Sequence, residues 1–92
     1  MAVNTQMALR LVKQRLNRLE GDTSLDELLA ARIDAVVAEI EATGIRLTES
    51  MDDMMLAVDM AVWQYQCRDQ QTGMPDWLRA RRRERWLRER DS

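Results

Sequence analysis

Met54-Met-Leu-Ala-Val-Asp-Met-Ala-Val-Trp-Gln-Tyr-Gln-Cys-Arg-Asp69, continued by Gln70-Gln-Thr-Gly-Met-Pro75, decides how this chain folds. Met54, Val58, Ala61, Val62 and Tyr65 recur at intervals of three and four and so share one helical face. Leu56, Met60, Trp63 and Cys67 form a second face with the same spacing. A helix apolar on two faces is buried against several neighbours at once. The stretch therefore reads as a central helix with the remaining segments packed around it.

Upstream, two amphipathic segments supply those neighbours. Asn4 or Thr5 can cap a helix running from about Thr5 to Leu19. Its stripe is Leu9, Val12, Leu16 and Leu19, flanked by Met7 and Leu11, with Gly21 as the stop and Arg10, Lys13 and Arg18 off the stripe. Ser24-Leu-Asp-Glu27 reads as a capping box opening a second helix. There Leu25, Leu29, Ile33, Val36 and Ile40 line one face, widened by Leu28 and Val37. Thr43-Gly44 ends it, and Ile45 is placed to fold back on Ile40. Ile45 and Leu47 are too apolar for a free loop. Ser50-Met-Asp-Asp53 starts the central helix with two carboxylates in its first turn.

Asp59 lies between the two apolar faces, where an unpaired carboxylate is costly. Arg32 or Arg10 of the same chain, or an Arg of a neighbouring subunit, is the expected partner. Trp63 and Tyr65 read as core anchors whose polar tips reach water or a carbonyl. After the turn at 70–74, Pro75 suits the first position of a last helix, from Asp76 to about Arg90. In that helix Trp77, Ala80 and Leu87 fall in one sector, Leu78 and Trp86 on roughly the other side, and Arg is distributed all round. No single buried stripe emerges, so this helix is expected to need a partner surface.

Composition bounds the functions available. Ninety-two residues allow one core, and 46% hydrophobic content excludes a mainly disordered chain. There is no His, and Cys67 is the one cysteine, expected to be a buried inert thiol. The longest wholly apolar runs, such as Met54–Val58, are too short to span a membrane, and the N-terminus lacks signal-peptide character. The expected setting is a reducing cytosol. No triad, metal-ligand spacing or phosphate-binding Gly loop is present, so neither an enzyme nor a cofactor binder is expected. Asp52 and Asp53 read as dipole caps. The seven Met residues are core filler that also suits adaptable contacts.

Charge is segregated along the chain. Residues 1–19 hold four bases and no acid, residues 20–59 eleven acids against two bases, and residues 76–92 seven Arg against four acids. Basic ends and an acidic middle suit head-to-tail contact between identical copies, although solvated helix faces have the same appearance. Residues 1–75 thus read as a helical core domain and 76–92 as an Arg/Trp-rich helix or arm. Trp77, Arg79, Arg81, Arg82, Arg83, Arg85, Trp86 and Arg88 are the candidate partner or subunit interface. Arg forks match carboxylates and phosphates alike, and Trp is a frequent interface anchor.

The segment Ala57-Val-Asp-Met-Ala-Val-Trp-Gln-Tyr-Gln-Cys-Arg-Asp69 with Gly73-Met-Pro75, followed by a basic last helix, resembles the core signature of tailed-phage head-tail connector proteins, also called head-completion or adaptor proteins. The chain's length and its two upstream helices extend the similarity over most of the sequence. Departures fall at Met60, where the family has an aromatic, and at Gln64, Gln66 and Cys67, which replace polar or basic residues. They bear on partner contacts rather than on the fold. The resemblance implies an all-α fold, a compact bundle of three helices plus a basic C-terminal helix free to project. It implies a structural virion protein, present in the host cytoplasm during assembly. Its copies would form a homo-oligomeric ring, twelve-fold in the family's manner, under the portal protein. That ring would extend the DNA channel and receive the next head-completion or tail protein. DNA would pass without specific binding, and Glu39 and Glu41 on the acidic second helix would face the channel. The alternative is a small nucleic-acid-binding packaging or regulatory protein that uses the basic last helix.

Overall fold

The computed structural model describes residues 3–17, 21, 23–67 and 73–91. It holds four helices, α1 (Thr5–Arg15), α2 (Asp26–Ala42), α3 (Met51–Gln66) and α4 (Asp76–Asp91), with no strand among the described residues. The all-α architecture is the expected one. Helix α3 is its axis, packed against each of the other three helices, and α1 and α2 also pack on each other. This is why α3 is apolar on two faces. Every residue from Leu56 through Val62 is buried, together with Asp53 and Met54.

The remaining core comes from one stripe per neighbour. Leu29, Ile33, Val36, Val37 and Ile40 of α2 are buried, as the periodicity predicts, whereas Leu28, expected to widen that face, is exposed on the other side. The buried face of α1 centres on Ala8 and Val12, whereas Leu9, Leu11 and Leu16 are half-buried and Met7 is exposed. The expected stripe is therefore rotated toward Ala8, whose small side chain permits close helix approach. Lys13, expected off the stripe, is buried: its stem lies in the α1–α2 seam and its Nζ reaches Asp26 Oδ1 at 3.0 Å.

Helix ends follow backbone chemistry. Asn4 caps α1, its Oδ1 accepting from Met7 N at 3.1 Å. The helix stops at Arg15, earlier than expected, because Asn17 takes a left-handed conformation with φ 59°. Asn tolerates this region better than other side chains. Gly21 is thus not the stop, and Arg18 and Leu19 lie outside the described residues. Asn17→Ala should cost about 1 kcal/mol and Asn17→Gly nearly nothing in denaturant unfolding. Equal losses in the two variants would disprove this assignment. Helix α2 begins at Asp26 with Leu25 in the cap position, so Ser24 stands one residue ahead of it. Gly44, φ 102°, closes α2 and turns the chain so that Ile45 and Leu47 are both buried. Ser50 Oγ accepts from Asp53 N at 3.2 Å and caps α3 as expected.

The last helix departs from expectation. Helix α4 lies against α3 rather than projecting. Leu78 is fully buried in the common core, and Arg85 is buried on the same side of the helix. The inward stripe is Leu78, Arg81, Arg82, Arg85, Trp86 and Glu89, an amphipathic spacing in which no member is fully exposed. A hydropathy reading misses it because Arg fills three of the six positions.

Candidate functional site

Helix α4 carries most of the candidate residues, and the structure divides them into an inner and an outer set. The inner set is held by two carboxylates of α3. Arg85 Nε donates to Asp53 Oδ1 at 2.7 Å and Nη2 to Oδ2 at 3.3 Å. Nη2 also donates to the Arg46 carbonyl at 2.7 Å, and Nη1 to Glu89 Oε2 at 3.4 Å. Asp53 Oδ2 further accepts from Thr48 N at 2.7 Å and Thr48 Oγ1 at 2.8 Å. Glu89 Oε1 accepts from Arg46 N at 2.8 Å. The α2–α3 connector, the first turn of α3 and the last turns of α4 are thereby tied together. Burial by itself would push the Asp53 carboxyl up, but the hydrogen bonds from Arg85 and Thr48 outweigh it and hold the group below its ordinary value. The same bond to Asp53 raises Arg85, against the opposing effect of burial.

Asp59 is also buried and has two partners. Arg15 Nη1 lies 2.6 Å from Oδ1, and Arg81 Nη1 is hydrogen-bonded to Oδ2. The expected partners Arg32 and Arg10 are not the ones found. Asp59 reaches toward α1 and α4 rather than toward α2, and Arg32 instead donates to Gln64 Oε1 at 3.3 Å. The carboxylate thus joins the first and last helices through the central one. Because both Arg partners are about 40% exposed, each alone is replaceable by water. Asp59→Ala should therefore cost about 1–2 kcal/mol, more than Arg15→Ala or Arg81→Ala. Equal losses in all three, measured by urea unfolding, would contradict a shared carboxylate.

The outer set stays at the surface. Trp77 and Leu87 are 52% and 42% exposed, and Arg79, Arg83 and Arg88 are exposed. Arg79 curls back to the Met74 carbonyl at 3.2 Å. Trp86 spans both sets: its Nε1 donates to the Thr43 carbonyl at 3.1 Å, and the Arg90 guanidinium lies 5.0 Å from its ring. A shallow groove between α4 and the end of α2 is lined by Thr43, Ile45, Arg79, Arg82, Arg83 and Trp86. A second, more polar one runs between α3 and α4 past Asp52, Arg81, Glu84 and Arg88.

Of the candidate interface residues, then, Arg85 is buried and Arg81 is half-exposed but paired with Asp59, Arg82 and Trp86 are half-buried along the α2–α4 groove, and Trp77, Arg79, Arg83 and Arg88 are exposed. Asp59 is an intrachain junction. Glu39 and Glu41 are exposed on α2, with Glu39 Oε2 accepting from Gln64 Nε2 at 3.0 Å. Trp63 is half-buried and its Nε1 meets no carbonyl among the described residues. Cys67 closes α3 half-buried rather than fully buried. Arg68 and Asp69 of the signature lie outside the described residues. Asp53, read as a dipole cap, proves to be the anchor of α4. The pairing of Asp53 and Asp59 on α3 with Arg85 and Arg81 on α4 is set by packing and has no local signal in the sequence.

Among the described residues no helix is long and apolar enough to cross a membrane, and no group of His, Cys, Asp or Glu could hold a metal ion. Compared with known proteins, the chain matches no family model, no curated protein and no solved structure.

Proposed function

We propose that this protein is a structural virion subunit, a head-tail connector that forms a ring under the portal, extends the DNA channel and joins head to tail. The observation that carries the reading is the role of the resemblance-bearing segment within the fold. Ala57, Val58, Met60, Ala61 and Val62 fill the core, and Asp59 fastens the first and last helices. The segment builds a scaffold rather than a chemical site. Around that scaffold, charge is unevenly spread, acidic on α2 and mixed on the outside of α4, where Arg79, Arg83, Arg88 and Arg90 stand with Asp76, Glu84 and Asp91, a pattern that suits contact between copies.

On this reading the partners are further copies of the chain, the portal protein, and the next head-completion or tail protein. The protein resides in the host cytoplasm until it enters the virion. The experiment is mass by light scattering over a concentration series, alone and with an assembled portal. A discrete ring in either condition is expected. A protein that stays monomeric in both, yet shifts DNA at low salt, would instead be the nucleic-acid binder for which the Arg79, Arg82, Arg83 and Trp86 groove is suited.

A further inference from the structure

Two helix faces are left without a partner among the described residues, and their patterns match each other. On α2 the side opposite the core carries Leu28, Ala31, Ala35, Ala38 and Ala42, all exposed and spaced alternately by three and four. One edge of this stripe is a regular acidic row, Glu27, Asp34 and Glu41, also exposed. On α4 the side opposite the core carries Trp77, Ala80, Glu84 and Leu87 at the same alternation. Asp76, Arg83 and Arg90 flank it on one edge and Arg88 on the other. Alternation of three and four places a side chain over the partner helix at each turn and is the spacing of helix pairs that interdigitate.

The geometry points to a head-to-tail contact in which the outer face of α4 of one copy packs on the outer face of α2 of the next. Size selects this pairing, and the acidic edge of α2 favours it. Trp77 and Leu87 are large and at least two-fifths exposed, while four of the five residues on the α2 stripe are Ala, which lets a neighbouring helix approach closely. Two α2 faces brought together would oppose acid with acid, whereas the α4 face carries both signs, three Arg with Asp76 and Glu84. The mixed pair sets Arg83 and Arg90 against the row of Glu27, Asp34 and Glu41, which carries no base. Each chain carries both faces, exposed at the same time, so the contact forms between copies. Being heterologous, it leaves one unused face of each kind on a pair and propagates until it closes into a ring.

The proposal rests on the ring reading and names its contact. It moves Glu41 from the channel wall, where the resemblance would place it, into the boundary between subunits.

The test uses two double variants confined to exposed positions. Trp77→Ala with Leu87→Glu disables the α4 face, and Ala35→Arg with Ala38→Arg disables the α2 face. Circular dichroism melts establish that both remain folded. In sedimentation velocity the wild type should form oligomers larger than a dimer, and each variant alone should associate on the order of tenfold more weakly or worse. Mixed in equal amounts, the two variants should form a dimer that grows no further, because one intact face remains on each. Variants that assemble like the wild type, or a mixture that stays monomeric, overturn the contact. Assembly that survives both variants removes this contact and leaves the ring reading standing. A wild type monomeric both alone and on an assembled portal removes both.

Discussion

Replacing Arg85 by Ala should destabilise the fold by about 3–5 kcal/mol, the usual consequence of stripping one partner from a buried ion pair. The side chains of Arg85 and Asp53 are 10% and 4% exposed, so solvent cannot replace the lost partner. The variant also removes the donor to the Arg46 carbonyl and one partner of Glu89, loosening the connector and α4 together. For a chain of this size the melting temperature should fall by roughly 15 °C or more. The double variant Asp53→Asn with Arg85→Met removes both charges, while the amide oxygen that takes the place of the carboxylate still accepts from Thr48. It should recover more than half of the loss. A double variant as unstable as the sum of the singles would show that the two residues act independently.

The same pair sets a pH dependence. The folded protein holds the Asp53 carboxyl below its unfolded value, so its contribution is fully present above the unfolded pKa and is lost as pH falls through the folded one. Stability should be flat from about pH 5 to 8 and decline below about pH 4. Arg85 is shifted upward from an already high value and adds nothing across that range. Asp53→Asn should start lower and decline less steeply on the acid side. An unchanged acid slope in that variant would remove Asp53 from the explanation.

Leu78→Ala should be the second large loss. Leu78 is fully buried and is the one apolar residue of α4 wholly inside the core. Truncating a buried Leu costs about 2–5 kcal/mol, through lost transfer energy and the cavity left behind. Because the rest of the inward stripe is Arg, Glu and a half-buried Trp, α4 has no second apolar anchor to take over. Amide exchange should accelerate first and most in residues 76–91, while α2 and the middle of α3 keep their protection. Uniform acceleration across all four helices would mean that α4 is an inseparable part of the cooperative core.

Much of the fold is legible in the sequence because apolar periodicity and helix-end chemistry are local. Four helices, the centrality of α3, the α2 stripe, the Ser50 and Asn4 caps and the Gly44 stop all follow from residues within a turn or two of one another. The end of α1 is not legible in this way, because Asn17 and Gly21 are both competent stops and only packing chooses between them. The surface set Trp77, Arg83 and Arg88 is visible in composition alone, without knowledge of which face it occupies. The match between the outer faces of α2 and α4 needs the fold, since each stripe acquires meaning only once the opposite face is known to be buried.

By itself, then, the sequence determined an all-α chain built on one doubly apolar helix, and the segregation of acid and base along its length. Tertiary structure alone decided where α4 goes and what its arginines do. An Arg is polar on any hydropathy scale, and its burial depends on a carboxylate that lies 32 residues away, as Asp53 does from Arg85. No local pattern carries that information. Two α3 carboxylates, placed by packing to meet Arg81 and Arg85, turn a helix with no apolar stripe into a fixed part of the domain and leave Trp77 and Leu87 of its outer face exposed.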